Sequence, residues 1–303
     1  PAASDRNRSI SVAVSVAYLY SPPERPGMTQ THTEWTDAQS SATVDVDGHD
    51  VEMAYYEEGP ADATPVVFMH GVPTWGYLWA KVAPELAGDF RVVVPDMIGY
   101  GNSENGEGFD RSIRAQEQAL DGLLEALDIE TFPLVAHDIG GGAALRLAAH
   151  QPHRVEQLVC SNVVCYDSWP VEFVSTIGLP KTAGMGDEEL DAKLDFAFAD
   201  GAYGEADPDF VAGMKYPWLE REGGKRALAR AAVATNTNHT TEITYEDITA
   251  DLLCLWAEAD QMQQVEYGER LVEDIGGEMI RLDEAFHWVP EDRAETFASE
   301  LDG

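Results

Sequence analysis

The chain has 303 residues, with 55 acidic against 19 basic side chains and a net charge of −36. This charge excludes nucleic acid and anionic membranes as partners, because both would be repelled. A hydrophobic content of 44% with seven Trp residues excludes a disordered acidic protein, and the length favours one domain with a modest insertion.

The acidic excess is accompanied by only five Lys residues, which is typical of a surface adapted to high salt, where counterions screen the repulsion between carboxylates. We therefore expect a cytoplasmic protein of a salt-accumulating organism that is unstable at low salt. The three Cys residues have no metal-ligand spacing, so neither a metal nor a cofactor is predicted. We expect a monomer or a small homo-oligomer.

The first residues of the chain differ from the rest. The stretch 10–20 is apolar, but no small-residue cleavage site follows it, and Met28 precedes a polar run that looks like a natural start. We interpret residues 1–27 as an upstream extension or an artefact.

Short apolar runs then alternate with helical patterns, and this rhythm predicts a mostly parallel sheet flanked by helices. The first two strands are joined by Asp47-Gly48, a tight-turn pair, and are therefore predicted to be antiparallel. The strands are predicted at 42–46, 51–56, 65–69, 91–94, 132–136 and 155–164, and helices at 112–127 and 143–150.

The rhythm changes between residues 166 and 245, where helix formers and aromatic residues replace the buried strand runs. This composition predicts a helical cap at 166–245, inserted into a core made of 28–165 and 246–303. The sheet is predicted to resume with a strand at 251–256, followed by a helix at 265–274, a strand at 278–282 and a helix at 291–301.

A reactive carboxylate is indicated where the predicted strand 132–136 ends. The sequence His137-Asp138-Ile139-Gly140-Gly141 places Asp138 on a sharp turn before a helix, the context called a nucleophile elbow. The helix dipole and free amides at this point favour an anion. An isolated Asp-x-Gly is more often an ordinary helix N-cap, but the surrounding motifs favour a nucleophile.

Two further motifs complete this chemistry. The loop His70-Gly71-Val72-Pro73 follows a predicted strand, so the amides of Val72 and Ile139 can form an oxyanion hole. Asp260 and His287 follow later strands in the order nucleophile, acid, histidine. Glu258 is the competitor for the acid, and the remaining His residues are interpreted as mostly surface or capping residues.

From about residue 51 onwards the chain resembles the Asp-nucleophile branch of the α/β hydrolases, the haloalkane dehalogenases and epoxide hydrolases. The resemblance rests on the stretch from His70 to Trp79, the loop from Pro95 to Ser103, and the Asp138 elbow. Asn162 occupies a position where one dehalogenase subgroup has Asn, which supports Asp260 as the acid. The resemblance implies an α/β-hydrolase fold with a helical cap, and a small apolar substrate that reacts together with water.

The resemblance also implies a two-step mechanism. Asp138 attacks an electrophilic carbon and forms an alkyl ester, and His287, oriented by Asp260, activates a water that cleaves the ester. The Val72 and Ile139 amides hold the oxyanion of the second step. An alkyl ester formed by carboxylate attack is not cleaved by the same displacement, so the mechanism requires a base.

The leaving-group apparatus departs from both groups. Dehalogenases usually carry Trp after the nucleophile and one subgroup carries Asn in the oxyanion loop, whereas this chain has Ile139 and Val72. Epoxide hydrolases use cap tyrosines as proton donors, and the late cap has none. Dehalogenation is favoured, with epoxide, β-lactone or ester hydrolysis and a non-catalytic scaffold as alternatives. The candidate leaving-group donors of the cap are Trp169, Tyr203, Tyr216, Trp218 and His239.

Overall fold

The computed structural model describes residues 30–235 and 238–302, so the interpretation of residues 1–27 lies outside the described residues. The strands are β1 (Ser40–Val46), β2 (His49–Glu58), β3 (Pro65–Met69), β4 (Arg91–Pro95), β5 (Phe132–Asp138), β6 (Val155–Val163), β7 (Asp251–Ala257) and β8 (Glu278–Leu282). They form one sheet in the order β1-β2-β4-β3-β5-β6-β7-β8. β2 is antiparallel to β1 and β4, and the other neighbouring strands are parallel.

The hairpin between β1 and β2 confirms the turn prediction. Asp47 and Gly48 both have positive φ, 51° and 83°, the backbone of a two-residue turn that matches strand twist. Its register pairs Val46 with His49. The strands predicted at 65–69 and 278–282 have the predicted limits, whereas β5 continues two residues beyond the prediction, to Asp138.

Twelve α-helices are present in the described residues. They are α1 (His32–Ala38), α2 (Ala83–Leu86), α3 (Ile113–Ala126), α4 (Ile139–His150), α5 (Glu172–Ile177), α6 (Asp187–Phe198), α7 (Pro208–Leu219), α8 (Gly224–Ala234), α9 (Asn238–Thr241), α10 (Val265–Ile275), α11 (Val289–Asp292) and α12 (Ala294–Asp302). Two predictions need correction. α4 begins at Ile139 rather than at 143, directly after β5, and the helix predicted at 291–301 is divided at Arg293.

The chain between β6 and β7 forms helices and no strand, as far as the described residues show. This segment lies over loops at the carboxyl ends of the strands. The indole N–H of Trp75, in the loop after β3, donates to the Gly213 carbonyl oxygen at 2.9 Å, and Trp218 donates in return to Pro73 at 2.6 Å. Arg221 donates to Gly101 in the loop after β4. The division into a core and a cap at 166–245 stays a prediction.

The apolar core fills the space between the sheet and its helices. α4 packs on β5 and β6, and α10 packs on β7. Cys160, Cys165 and Cys254 are all buried within it. Within the part of the chain that is described, no helix combines the length and the apolar character needed to cross a membrane.

Candidate active site

Asp138 lies on the turn between β5 and α4, with φ 50° and ψ −127°. A positive φ is costly for a residue with a side chain, by about 1–3 kcal/mol, and persists only where the surroundings enforce it. Two neighbouring glycines allow the close packing that holds Asp138 in this conformation. A Cβ at Gly71 would lie 2.4 Å from the Asp138 Cβ, and one at Gly140 would lie 2.2 Å from the His70 carbonyl oxygen. Close packing thus presents the Asp138 carboxylate to the loop after β3.

Two backbone amides hold the Asp138 carboxylate. The Val72 N–H donates to Asp138 Oδ1 at 2.8 Å, and the Ile139 N–H also donates to this carboxylate. Asp138 is only 2% exposed. Burial raises its pKa, and the His287 charge and the two amides, which lower it, do not cancel that effect. The predicted pair of amides is therefore placed to stabilise a negative charge on the Asp138 carboxylate.

His287 faces Asp138 from the loop after β8. Its Nε2 lies 3.7 Å from Asp138 Oδ2, and its Nδ1 forms a 2.8 Å hydrogen bond with Asp260 Oδ2. Because a carboxylate only accepts hydrogen bonds, Nδ1 carries the proton in the neutral ring and Nε2 is left with its lone pair toward Asp138. The three side chains predicted from the sequence lie in one buried row.

Asp260 is fixed by three donors. Besides His287, the Asn162 side-chain amide donates to Oδ2 at 2.7 Å, and the Met262 amide donates to Oδ1 at 2.7 Å. Asn162 is itself held, because its Oδ1 accepts from the Ala257 amide at 3.0 Å. The competitor Glu258 is exposed and pairs with Arg281 instead. Asp260 is the acid that reaches His287.

The protonation of His287 follows from these contacts. Burial lowers its pKa, but the charge and hydrogen bond of Asp260 and the charge of Asp138 outweigh burial, so the pKa is raised above its ordinary value. Since the raised pKa makes Nε2 a stronger base, His287 is suited to accept a proton from water.

His137 contradicts the expectation that the histidines other than His287 are mostly surface or capping residues. It is fully buried, its Nδ1 lies 2.9 Å from the Ser161 carbonyl oxygen, and its ring centroid is 4.7 Å from that of His287. Burial lowers the pKa of His137 well below its ordinary value, so the ring beside His287 is neutral. The sequence misses this burial because the strand is predicted to end at residue 136, whereas β5 continues through His137.

A cavity of about 280 Å³ opens above Asp138. Its floor contains Asp138, His287 and Asp260, and its walls are mainly apolar. The other lining residues are Val72, Pro73, Trp169, Val171, Phe173, Val174, Phe196, Ala197, Asp200, Gly201, Ala259, Gln261, Met262, Phe286 and Trp288. This composition suits a small apolar molecule that reaches the carboxylate without bulk water.

The five cap donors predicted from the sequence differ in their positions relative to the cavity. Trp169 lines the cavity, but its indole N–H donates to Thr235 Oγ1 at 2.8 Å. Four others do not line this cavity. The Trp218 N–H donates to Pro73, Tyr216 packs between Trp75 and His32, Tyr203 packs edge-on against Phe286, and His239 Nδ1 accepts from the Arg114 amide.

The indole of Trp288, which also lines the cavity, donates to the Ala197 carbonyl oxygen at 2.8 Å. The lining residues described therefore offer neither an uncommitted indole N–H nor a tyrosine hydroxyl. Among the described residues, no group of three or more His, Cys, Asp or Glu side chains is arranged to hold a metal ion.

Comparison with known proteins agrees with this architecture. A family model described as the alpha/beta hydrolase fold matches residues 64–192. A protein of this fold from Burkholderia ambifaria superimposes with a TM-score of 0.76 at 24% identity, covering 87% of this chain and 100% of that one. The chain has the α/β-hydrolase fold.

Two curated proteins are similar to part of this chain in sequence. A haloalkane dehalogenase of Psychrobacter cryohalolentis is 34% identical over 122 residues, 40% of each chain. A cis-3-alkyl-4-alkyloxetan-2-one decarboxylase of Xanthomonas campestris is 34% identical over 124 residues, 38% of this chain and 41% of that protein. The chain thus spans about 40% of the length of the curated relatives it matches.

Proposed function

We propose that this chain is a hydrolase in which Asp138 forms an alkyl ester with its substrate and His287 activates the water that cleaves the ester. The observation that carries the proposal is that the two oxygens of the Asp138 carboxylate have different partners. Oδ1 accepts from the Val72 amide at 2.8 Å, whereas Oδ2 faces His287 Nε2 at 3.7 Å under the apolar cavity.

In the first step, Asp138 Oδ2 attacks an electrophilic carbon held in the cavity. The new C–O bond forms as the bond to the leaving group breaks, and the leaving group departs with its electron pair. Oδ1 stays with the Val72 amide, which orients the carboxylate. The apolar walls keep water away from the nucleophile.

In the second step, His287 Nε2 takes a proton from water while the oxygen attacks the Asp138 ester carbonyl. The negative charge that develops on Oδ1 is stabilised by the Val72 amide, and the Ile139 amide, which also donates to this carboxyl group, lies beside it. Asp260 stabilises the imidazolium. The alcohol product leaves with the proton from His287. The hydroxyl added from water remains on the Asp138 carboxyl, and loss of its proton through His287 to solvent restores the carboxylate.

The cavity constrains the leaving group. An alkoxide from an epoxide needs a proton as it departs, and the lining residues described offer no tyrosine for this purpose. A halide or a carboxylate is a weak base and departs unprotonated. We therefore propose haloalkanes as the first substrate class, in line with the dehalogenase relative.

A β-lactone is the second candidate. Attack of Asp138 on a ring carbon releases a carboxylate that stays attached to the substrate and spreads its charge over two oxygens. Such a leaving group needs fewer donors than a free halide, which fits the commitment of both indole N–H groups to protein oxygens. One relative is named for acting on an oxetan-2-one.

A substrate panel tests this order. We expect bromide release from 1-bromoalkanes, with slower chloride release from the matching chloroalkanes, measured by ion chromatography. Consumption of a β-lactone without halide turnover would make the second candidate the substrate class. Diol formation from an epoxide alone would contradict both, because a proton donor would then be present.

Trp169→Phe provides a test of the leaving-group donors. Because its N–H donates to Thr235, we expect halide release to fall by less than about tenfold, against the roughly 10²- to 10³-fold typical of a lost transition-state donor. Initial rates are to be compared with Trp218→Phe, whose indole is buried outside the cavity. A loss of about 10²-fold in Trp169→Phe alone would show that the indole turns toward the leaving group.

The pH dependence of the second step follows from His287. Its pKa is raised, and only the neutral ring accepts a proton. Because ester formation removes the Asp138 charge, one of the causes of the raised pKa, we expect single-turnover ester hydrolysis to rise with pH in the range around the ordinary value of about 6.5. Rapid-quench measurements across pH give this profile. A profile that is flat through this range would contradict His287 as the base.

A further inference from the structure

A buried lysine lies between the His287 loop and the cap. The Lys81 side chain is 3% exposed, and its Nζ lies 2.8 Å from Glu291 Oε2 and 3.4 Å from Asp207 Oδ2. Glu291 belongs to α11, which follows His287, and Asp207 precedes α7 in the cap. Burial of an ammonium group is costly unless carboxylates surround it, and the two carboxylates at Lys81 provide this compensation.

The loop 286–292 forms three more contacts with the same stretch of the cap. Trp288 donates to the Ala197 carbonyl oxygen at 2.8 Å. Asp292 accepts from the Tyr203 amide at 2.9 Å and from Phe286 in its own loop at 2.9 Å. Glu291 accepts from the Asp207 amide at 3.2 Å. Each contact pairs a side chain of the His287 loop with the backbone of 197–207.

That stretch of the cap also forms a wall of the cavity, through Ala197, Asp200 and Gly201. The base and one wall of the substrate cavity are consequently joined by the same set of contacts. Three carboxylates, Asp207, Glu291 and Asp292, gather at this junction. Loss of the Lys81 charge leaves the Glu291 carboxylate, whose side chain is 1% exposed, buried without this cation, which is strongly destabilising.

We propose that Lys81 is a positioning residue for His287, because its ammonium ties the loop carrying the base to the cap segment 197–207. This inference rests on the proposed function, since it assigns a step to His287. Asp138 is held separately, by Val72 and by its own elbow. Lys81 therefore acts mainly on ester hydrolysis, and alkylation of Asp138 changes only slightly, through the cavity wall that the segment 197–207 forms.

The kinetic test compares the two steps in Lys81→Met with a bromoalkane as the probe. We expect alkylation within about threefold of the original enzyme and ester hydrolysis slower by about ten- to a hundredfold, the scale of a small misplacement of a reacting group. Intact-protein mass spectrometry should then show the ester accumulating. Lys81→Arg should restore part of the hydrolysis rate.

Lys215→Met is the matched control, because Lys215 is another largely buried lysine that pairs with two cap carboxylates, Asp191 and Asp195. It should leave both steps unchanged. If Lys81→Met folds poorly, Lys81→Met combined with Glu291→Gln removes the unpaired charge. That double variant should fold and still hydrolyse the ester slowly, because the ion pairs of Lys81 with Glu291 and Asp207 are missing.

Hydrogen exchange gives a readout that needs no turnover. In Lys81→Met, amides of 286–292 and of 197–207 should lose protection together, whereas Lys215→Met should leave both segments unchanged. Equal slowing of alkylation and hydrolysis, or loss of protection in one segment alone, would overturn the inference. Absence of any ester, even when His287 is replaced, would instead refute the proposed function. The exchange result would still show whether Lys81 holds the segments 286–292 and 197–207 together.

Discussion

Asp138→Ala is expected to lower turnover by about four orders of magnitude or more, the scale seen when a covalent nucleophile is removed. Among the described residues that line the cavity, no other carboxylate is placed to substitute for it. Asp260 faces the far nitrogen of His287, and Asp200 lies at the exposed end of the cavity. Product formation on the best substrate of the panel, followed to long times, measures the residual rate.

The fold should survive this change. Asp138→Ala removes a carboxylate whose pKa burial has raised, so the free energy of unfolding near neutral pH should stay the same or increase. Thermal unfolding checks this point. Asp200→Ala is the matched control, since it removes a carboxylate from the same cavity and should keep most of the activity. Turnover by Asp138→Ala at a rate near that of the control would refute the nucleophile.

The strands and the elbow could be predicted because their signals are local. A buried parallel strand is a short apolar run, and a turn at Asp47-Gly48 requires residues that tolerate positive φ. The sequence indicates Asp138 as a special position because glycines follow it where a helix must pack closely against a strand. The order of Asp138, Asp260 and His287 then follows from the strand order, which brings the carboxyl ends of β5, β7 and β8 to one edge of the sheet.

The cap donors could not be predicted because their roles depend on distant oxygens. Trp169 and Trp218 look alike in the sequence, but one lines the cavity and the other is held by Pro73. Whether an indole N–H is available is decided by a hydrogen-bond partner up to 145 residues away. The sequence carries no periodic signal for such contacts, and the same holds for the burial of Lys81 against Glu291.

His287→Gln is expected to separate the two chemical steps. The first step needs only the Asp138 carboxylate, which the Val72 and Ile139 amides orient independently of His287. The second step needs a base, and a glutamine amide does not accept a proton from water at neutral pH. Alkylation should therefore proceed, whereas hydrolysis should fall by several orders of magnitude, so that one equivalent of leaving group is released and turnover stops.

The trapped ester is directly measurable. Intact-protein mass spectrometry of His287→Gln after incubation with substrate should show one added alkyl group, and peptide mapping should place it on Asp138. The double variant Asp138→Ala with His287→Gln is the control and should remain unmodified. An adduct on another residue would reassign the nucleophile. Steady turnover by His287→Gln without an adduct would mean that another group activates the water, and the geometry offers no second base within reach of Asp138 Oδ2 among the described lining residues.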